Sequence, residues 1–315
     1  MAHMDEAHPR ICVTGAAGRL GRHVVHALEQ TYALTLLDRL PPEGDDRFRK
    51  IDLLDRSQIQ NALKGADVVV HLAAIDGSVD APDEAVFSTN VLSTWNLFDA
   101  AVKCGVKRIV HCSSNSVVGL NRPGPALAPL YLPVDESHPC RPSSAYGLSK
   151  FLSEEVARSF VREHRIDVLC LRPTYILFPE IRAAILAEQA GAPGGEPPES
   201  FSDPVPRRKE QLPQLGSYVW PEDVARAVDL ALKAKWSGFT PLFISAADTF
   251  LPQPTLVAIE ELYGAVPKIR DATIFDADPY ASAYAITAAS KLLGWRPGAA
   301  WSERGRRVAA TAARR

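Results

Sequence analysis

The chain has 315 residues, of which 46% are hydrophobic and 23% are charged, with 19 Gly and 25 Pro. This composition is typical of a folded globular protein and excludes collagen-like, coiled-coil and wholly disordered chains. The formal net charge of -2 gives no global field that would attract nucleic acid or an anionic membrane, so a small-molecule ligand is favoured.

The sequence carries no signal for a membrane, a disulfide framework or a metal site. No apolar run reaches the roughly 18 residues of a membrane helix, and the segment MAHMDEAHPR lacks the apolar stretch of a signal peptide, so a cytoplasmic protein is expected. The five cysteines are odd in number, widely spaced and without a CxxC pair, which predicts reduced thiols. The histidines show no metal-ligand spacing, so no metal is expected.

Short β-branched segments alternate with amphipathic ones over the first 175 residues, which is typical of βα units around a parallel sheet. The predicted strands, in chain order, are Ile11–Val13, Ala33–Leu37, Val68–Leu72, Arg108–Cys112 and Val168–Leu171. The predicted helices between them are Gly21–Gln30, Asp55–Leu63, Phe87–Val102 and Ser144–His164. The fold class is therefore predicted to be α/β.

The later part of the chain begins with a change of pattern. Residues 188–216 carry six prolines and no periodicity, which predicts a long irregular loop. A helix follows at Pro221–Lys233, with proline at its first position. A strand at Leu242–Ser245 and a helix at Thr255–Tyr263 complete the prediction.

A glycine motif, TGAAGRLG at 14–21, joins the first predicted strand to the first helix. Gly15 can make the tight turn, Gly18 lets the backbone approach a pyrophosphate, and Gly21 allows close packing of the helix on the strand. Asp38 ends the second strand, 23 residues after Gly15, where a carboxylate would meet an adenosine ribose. Because a carboxylate repels a 2′-phosphate, NAD is favoured over NADP, although Arg39 would weaken this preference.

A second motif, Tyr146-Gly147-Leu148-Ser149-Lys150, places tyrosine and lysine on one face of a helix. A phenol has a pKa of about 10, which makes it a poor base at neutral pH. An ammonium about 4 Å away, at an effective dielectric near 20, would contribute up to about 4 kcal/mol, or roughly three pKa units. This spacing therefore suits Tyr146 to acid–base chemistry, the alternative being a solvated pair on a helix surface.

Both motifs, in this order, resemble the short-chain dehydrogenase/reductase superfamily, specifically its extended branch, the NAD-dependent epimerase/dehydratase family. Further matches are Asp52-Leu53, His71-Leu72-Ala73-Ala74, Asn90-Val91, Ser113-Ser114, Arg172-Pro173 and KLLGWRP at 291–297. The resemblance implies a Rossmann-type doubly wound parallel sheet, with an NAD-binding domain over 9–175 and a smaller substrate-binding region over 176–315.

The resemblance also implies individual roles. Tyr146 would be the acid–base, Lys150 would lower its pKa and bind the nicotinamide ribose, and Ser114 would hydrogen-bond the reacting oxygen. The remaining residues implied to contact NAD are Gly15, Ala17, Gly18, Arg19, Leu20, Asp38, Asp52, Leu53, Leu72, Ala73, Ala74 and Asn90. For Asn90 the alternative is a structural role, in which its amide satisfies buried backbone groups.

Some positions depart from particular branches of that family. Sugar-nucleotide 4,6-dehydratases carry Thr-Asp-Glu where this chain has Ser114-Asn115-Ser116, and the diphosphate contacts typical of nucleotide-sugar epimerases are absent from segments 172–179 and 214–219. The SSN segment and YGxSK instead resemble the uronate dehydrogenase subgroup, which oxidises free sugar acids. That likeness implies substrate contacts from Ser114, Asn115 and Arg182, the last alternatively a surface or packing residue, and Ser78 is a further candidate.

The resemblance implies an NAD-dependent oxidoreductase that transfers a hydride between an alcohol of a small carbohydrate-like substrate, a sugar or sugar acid, and NAD. Two alternatives stay open: a nucleotide-sugar epimerase that retains its NAD, and a non-catalytic dinucleotide-sensing protein. A homodimer packed through the helices at Phe87–Val102 and Ser144–His164 is also implied.

Overall fold

A parallel sheet is the centre of the computed structural model, which describes residues 9–76, 81–120, 125–189 and 213–301. The strands are β1 Arg10–Thr14, β2 Ala33–Asp38, β3 Phe48–Lys50, β4 Val68–His71, β5 Arg108–Cys112, β6 Tyr131–Leu132, β7 Asp167–Pro173, β8 Tyr175–Ile176, β9 Tyr218–Val219, β10 Phe239–Ile244 and β11 Lys268–Ile269. The helices are α1 Arg19–Leu28, α2 Arg56–Ala62, α3 Asp83–Lys103, α4 Ala145–Glu163, α5 Pro179–Gln189, α6 Pro221–Lys233, α7 Thr255–Tyr263, α8 Thr273–Ala277 and α9 Thr287–Leu293.

Seven strands form the main sheet in the order β10-β7-β5-β4-β1-β2-β3, and every neighbouring pair is parallel. β1 lies between β2 and β4, so the chain winds outward from it in both directions. In such a sheet a crevice opens beyond the carboxyl ends of the strands where the winding reverses. The Rossmann-type doubly wound α/β fold is therefore confirmed, and its topology predicts a site next to β1 and β4.

Helices cover both faces of this sheet. One face packs against α1, α6 and α9 in an apolar cluster that includes Val13 and Val228. The other packs against α2, α3 and α4 in a cluster that includes Cys12, Phe98 and Phe160. Because successive residues of a strand point to opposite faces, a strand buried on both sides reads as a continuous apolar run, which explains the sequence of β1 and β4.

The predicted strands and helices agree with the structure to within a few residues, and Pro221–Lys233 and Thr255–Tyr263 match α6 and α7. α3 begins at Asp83 rather than at Phe87, since two acidic residues occupy its first turn, where the helix dipole favours negative charge.

The predicted loop at 188–216 differs from the structure at both of its ends. α5 continues to Gln189, and Pro213–Gly216 forms a turn of 3-10 helix, while 190–212 lie outside the described residues. α5 forms because Ile181 and Ile185, one turn apart, pack into an apolar cluster with Trp220.

The domain division at residue 175 stays a prediction. Beyond it, β10 joins the main sheet and α6 packs on α1, so the chain returns to the layers of the first part. Two small parallel sheets also form, β6 with β11 and β8 with β9, and β8 follows β7 directly in the chain. β6 and β11 contribute to a separate apolar cluster that includes Leu132 and Phe243, whereas β8 and β9 contribute to the cluster around Trp220.

All five cysteines are free thiols. Across the described ranges, no helix combines the length and the apolar character needed to cross a bilayer. Within the same ranges, no three or more histidine, cysteine or carboxylate side chains are grouped as metal ligands would be.

Candidate active site

A cavity of about 840 Å³ lies beyond the carboxyl ends of the main-sheet strands. Most of the residues singled out in the sequence line it: Gly15, Ala17, Gly18, Arg19, Leu20, Asp38, Asp52, Leu53, Leu72, Ala73, Ala74, Ser114, Tyr146 and Lys150. They come from segments spread over more than 130 positions of the chain, and the parallel sheet brings them together because all its strands end on the same side.

The glycine motif forms the turn between β1 and α1. Gly15 has a φ of +69°, a conformation that side chains rarely allow, and a Cβ there would lie 2.7 Å from the backbone nitrogen of Ala73. A Cβ on Gly21 would overlap the carbonyl oxygen of Gly15. Both positions therefore require glycine, since the turn, the helix and the loop after β4 are in backbone contact.

Asp38 closes one side of the cavity at the end of β2. Its carboxylate accepts from the backbone N–H of Ala17 at 2.9 Å and of Leu40 at 3.0 Å. These two bonds fix the carboxylate against the glycine turn. Nearby, Asp52 accepts from the backbone of Leu54 at 2.9 Å, which orders the segment after β3.

Asn90 does not line the cavity but braces the loop that does. Its side-chain oxygen accepts from the backbone N–H of Ile75 at 2.8 Å, and its amide donates to the carbonyl of Ile75 at 2.9 Å and to Ser149 at 3.1 Å. Of the two interpretations drawn from the sequence, the geometry favours the structural one: Asn90 satisfies buried backbone groups and links the loop to α4.

Ser114, Tyr146 and Lys150 lie together in the cavity wall. Ser114 follows β5 and caps a short 3-10 turn, accepting from the N–H of Ser116 at 3.1 Å. Tyr146 is in the first turn of α4, which Ser144 caps by accepting from the N–H of Gly147 at 3.1 Å. Lys150 is one turn further on, and its Nζ donates to the carbonyl of Cys112 at 2.8 Å.

Burial dominates the electrostatics of this group. It raises the pKa of the Tyr146 phenol, while a hydrogen bond with Ser114 acts in the lowering direction. Burial also lowers the pKa of Lys150, whose Nζ lies 5.8 Å from the centre of the Tyr146 ring. The net direction is therefore opposite to the lowering of the Tyr146 pKa that the spacing to Lys150 led us to expect, because desolvation of the phenolate is the largest influence on it.

A buried network anchors the helix that carries this pair. Arg172 of β7 donates to Glu154 of α4 through two bonds of 2.9 and 2.7 Å, and Ser113 donates to the same carboxylate at 2.6 Å. Ser113 is next to Ser114, so the network joins α4 to the segment after β5. In the sequence, Arg172 was recognisable only as part of a motif, and Glu154 was not singled out. Its spacing to Tyr146 and Lys150, at i, i+4 and i+8, was the signal that places Glu154 on the same helix face.

Asp76 is a cavity residue that the sequence analysis missed. It follows β4 and pairs with Arg19 at 3.1 Å, across the glycine turn. Arg19 also lies over the Phe178 ring, 4.6 Å from its centre. The negative charge of Asp76 adds to the raising of the Tyr146 pKa by burial, so this carboxylate acts on the part of the cavity that holds Ser114, Tyr146 and Lys150, the reactive end. Its place in the loop that follows the buried strand β4 was the available signal.

Three predicted substrate contacts are not brought into this group. Asn115 is 1% exposed and does not line the cavity. Arg182 does not line it either: its guanidinium lies 5.4 Å from the centre of the Trp220 ring. Ser78 lies outside the described residues. For Arg182 the contact with Trp220 supports the packing role that the sequence left open.

The donors and acceptors of the cavity suit NAD. The first turn of α1 lines it, and that turn has no acidic residue and no side-chain cap, so its backbone N–H groups and dipole remain suited to a diphosphate. Asp38 provides an acceptor for ribose hydroxyls, and Lys150 and Tyr146 lie at the other end. Ala73 and Ala74 line the cavity as well, and their small side chains leave room for a dinucleotide to lie close to the backbone.

Comparisons with known proteins agree with this geometry. The NAD dependent epimerase/dehydratase family matches residues 11–242. The chain is 35% identical over 173 residues to L-arabinose 1-dehydrogenase (NAD(P)(+)) of Haloferax volcanii, which is 53% of this chain and 67% of that protein. It is 30% identical over 168 residues to uronate dehydrogenase of Pseudomonas syringae pv. tomato, which is 52% of this chain and 58% of that protein.

The fold has solved counterparts. A short-chain dehydrogenase/reductase superfamily protein of Agrobacterium tumefaciens, solved with bound NAD, superposes with a TM-score of 0.69 at 24% identity, covering 97% of both chains. This likeness extends over the whole fold, whereas the matches to the two curated relatives cover about half of this chain.

Proposed function

This chain belongs to the NAD-dependent epimerase/dehydratase family, whose cofactor is NAD, and we propose that it is a dehydrogenase that transfers a hydride between an alcohol of a small carbohydrate and NAD. The observation that carries the proposal is the convergence of Ser114, Tyr146 and Lys150 in the wall of the cavity that the glycine turn and Asp38 also line. The relatives that oxidise arabinose and uronates support the substrate class.

Different residues of this chain are proposed to bind different parts of NAD. The first turn of α1 binds the diphosphate of NAD, Asp38 binds the adenosine ribose, and Lys150 binds the nicotinamide ribose. When bound, NAD supplies the acceptor for the hydride that leaves the carbinol carbon.

Proton transfer is assigned to Tyr146. The deprotonated oxygen of its phenol takes the proton of the substrate hydroxyl, and Ser114, which lines the cavity with it, orients the same substrate oxygen. Because burial raises the pKa of Tyr146, its deprotonated form needs a nearby positive charge. Lys150, whose side chain is buried one helical turn away, provides that charge and is fixed in place by the Cys112 carbonyl.

The substrate region is proposed to lie at 176–315 together with the end of β7. Residues that follow β7, among them Thr174, Tyr175 and Ile181, line the cavity on the side away from Asp38. Substrate would therefore enter between this segment and α4.

Purified protein with NAD and a panel of aldoses, polyols and uronates tests the proposal through the absorbance of NADH. We expect NADH to form with the unmutated protein, and the rate to fall by about 10²- to 10⁴-fold in Tyr146→Phe. NAD titrated against both proteins by calorimetry should give similar affinities, which separates chemistry from binding.

Two results would overturn the assignment. If no NADH forms and denatured protein releases one equivalent of NAD, the alternative of an epimerase that retains its cofactor is favoured. If NAD binds reversibly but Tyr146→Phe is indistinguishable from the unmutated protein in every reaction, a dinucleotide-sensing role is favoured.

We also propose a cytoplasmic homodimer that binds no nucleic acid. The five free thiols support the compartment, and the net charge of -2 supports the lack of a nucleic-acid partner.

The proposed dimer interface lies on α3 and α4. Leu92 and Trp95 of α3 and Leu148 of α4 are 47%, 42% and 39% exposed, and an apolar surface shared by two adjacent helices suits a dimer interface. Light scattering after gel filtration should give twice the chain mass, and Trp95→Glu should give a monomer; a monomeric unmutated protein would refute the dimer.

A further inference from the structure

The reactive end of the cavity carries a negative charge that the proposed chemistry does not use. Asp76, Tyr146 and Lys150 all line this cavity, and the charge of Asp76 adds to the raising of the Tyr146 pKa by burial and opposes the lowering of the Lys150 pKa by burial. Hydroxyl groups line the same cavity, among them those of Ser114, Ser116, Ser144, Thr174 and Tyr175. The described lining therefore offers a substrate the Asp76 carboxylate and several neutral donors and acceptors, while Asp83 lines the cavity from an exposed position at the start of α3.

Within the described ranges, each cationic side chain that lines the cavity either has a partner there or lies at the adenosine end. Arg39 lies beside Asp38, at the adenosine end. Arg19 pairs with Asp76 itself, and Lys150 donates to the Cys112 carbonyl. Arg182, which the sequence suggested for a substrate carboxylate, does not line the cavity.

From this distribution of charge we propose that the substrate is an uncharged polyhydroxy compound, an aldose or a polyol, and that Asp76 is the residue that selects it. The Asp76 carboxylate accepts hydrogen bonds from substrate hydroxyls and repels a carboxylate or phosphate group on a competing substrate. This inference rests on the proposed function, since it concerns the alcohol that reacts at Tyr146.

Two physical arguments set the size of the effect. A carboxylate has about four acceptor positions, so it can bind two neighbouring hydroxyls while it remains paired with Arg19. A substrate carboxylate within about 6 Å of Asp76, in a partly solvated cavity, would lose on the order of tenfold in affinity through like-charge repulsion. Because the Arg19 pair is partly exposed, it screens Asp76 only in part.

Calorimetric titration of Tyr146→Phe in saturating NAD tests the selection without turnover. Matched ligands are galactose with galacturonate and glucose with glucuronate, which differ only in oxidation of one terminal carbon. We expect each aldose to bind about tenfold more tightly than its uronate. Adding Asp76→Asn should reduce that ratio by roughly tenfold, by weakening aldose binding and strengthening uronate binding.

Two further variants provide controls. Asp83→Asn removes a carboxylate that lines the same cavity but is exposed at the start of α3, where solvent screens its charge, so it should change the aldose-to-uronate ratio less than Asp76→Asn does. Arg182→Gln should leave uronate binding unchanged, whereas a carboxylate-binding Arg182 would make it lose affinity selectively. Thermal unfolding of each variant checks that the fold is retained.

The outcomes separate this inference from the proposed function. Tighter binding of the uronates, failure of any aldose or polyol to bind, or an unchanged ratio in Asp76→Asn would overturn the role of Asp76. Preferential aldose binding that depends on Asp76, without NADH formation by the protein that retains Tyr146, would support the selection and refute the dehydrogenase.

Discussion

Replacement of Glu154 by glutamine should destabilise the fold strongly, although it only exchanges one carboxylate oxygen for an amide NH₂ group. The Glu154 and Arg172 side chains are 0% and 1% exposed and share two hydrogen bonds of 2.9 and 2.7 Å. Ser113 donates a third to the same carboxylate, at 2.6 Å. In Glu154→Gln the Arg172 guanidinium stays buried without a counter-ion, and the new amide N–H₂ group would face the N–H groups of Arg172 or the hydroxyl of Ser113, which are themselves donors.

The expected loss is about 3 kcal/mol of unfolding free energy, the lower end of the range of roughly 3 to 5 kcal/mol for breaking a buried ion pair, because glutamine retains one acceptor oxygen. Glu155→Gln is the matched control. Glu155 is the next residue of α4 and pairs with Arg158 at 2.9 Å, but its side chain is 43% exposed. An exposed pair of this kind contributes less than about 1 kcal/mol.

Urea denaturation followed by tryptophan fluorescence measures both variants, and the slope of free energy against urea shows whether the unfolded states remain comparable. The double variant Glu154→Leu, Arg172→Met should be less destabilised than Glu154→Gln, since it removes the unpaired charge together with its partner. If Glu154→Gln and Glu155→Gln differed by less than about 1 kcal/mol, the argument from the buried pair would be refuted.

Three further changes have outcomes that the structure predicts. Gly15→Ala should lower NAD affinity at least about tenfold in a fluorescence titration with NADH, because its Cβ would approach the Ala73 backbone to 2.7 Å at a positive φ; unchanged affinity would contradict the close contact. Asp38→Ser should raise kcat/KM for NADP relative to NAD by removing the charge that repels a 2′-phosphate, and an unaltered ratio would count against the ribose assignment. Burial lowers the pKa of His71 to about 3 from its ordinary 6.5, so the stability from its neutral form is complete above about pH 6.5 and is lost as pH falls towards 3. His111 stacks on His71, has no hydrogen-bond partner among the described residues, and also has a pKa lowered by burial. His111→Phe should therefore lose less stability on acidification than the unmutated protein does. Urea midpoints at pH 7 and pH 5 measure this loss, and equal losses would contradict the prediction.

The local features of this protein were predictable because they depend on neighbouring residues. Alternation of β-branched and amphipathic segments identified the strands and helices of the main sheet. The glycine turn was recognisable for the same reason, since its conformation is set within a few residues, as with the φ of +69° at Gly15. Asp38, Tyr146 and Lys150 followed from fixed spacings to those elements.

Interactions between distant segments could not be predicted in this way. Glu154 and Arg172 are 18 residues apart, Arg19 and Asp76 are 57 apart, and nothing in either sequence segment identifies its partner. The same limit applies to Arg182 and Asn115: their residue types suit a substrate, but helix and loop packing place Arg182 against Trp220 and bury Asn115.

Local periodicity and spacing were therefore enough to predict the α/β class, the glycine turn and the placement of Tyr146 and Lys150 on one helix. Which charges share the cavity depends instead on how distant segments of the chain pack together. The order of the parallel strands places the loops after β1, β4, β5 and β7 at one edge, and that arrangement places Asp76, but not Arg182, in the cavity that Tyr146 lines.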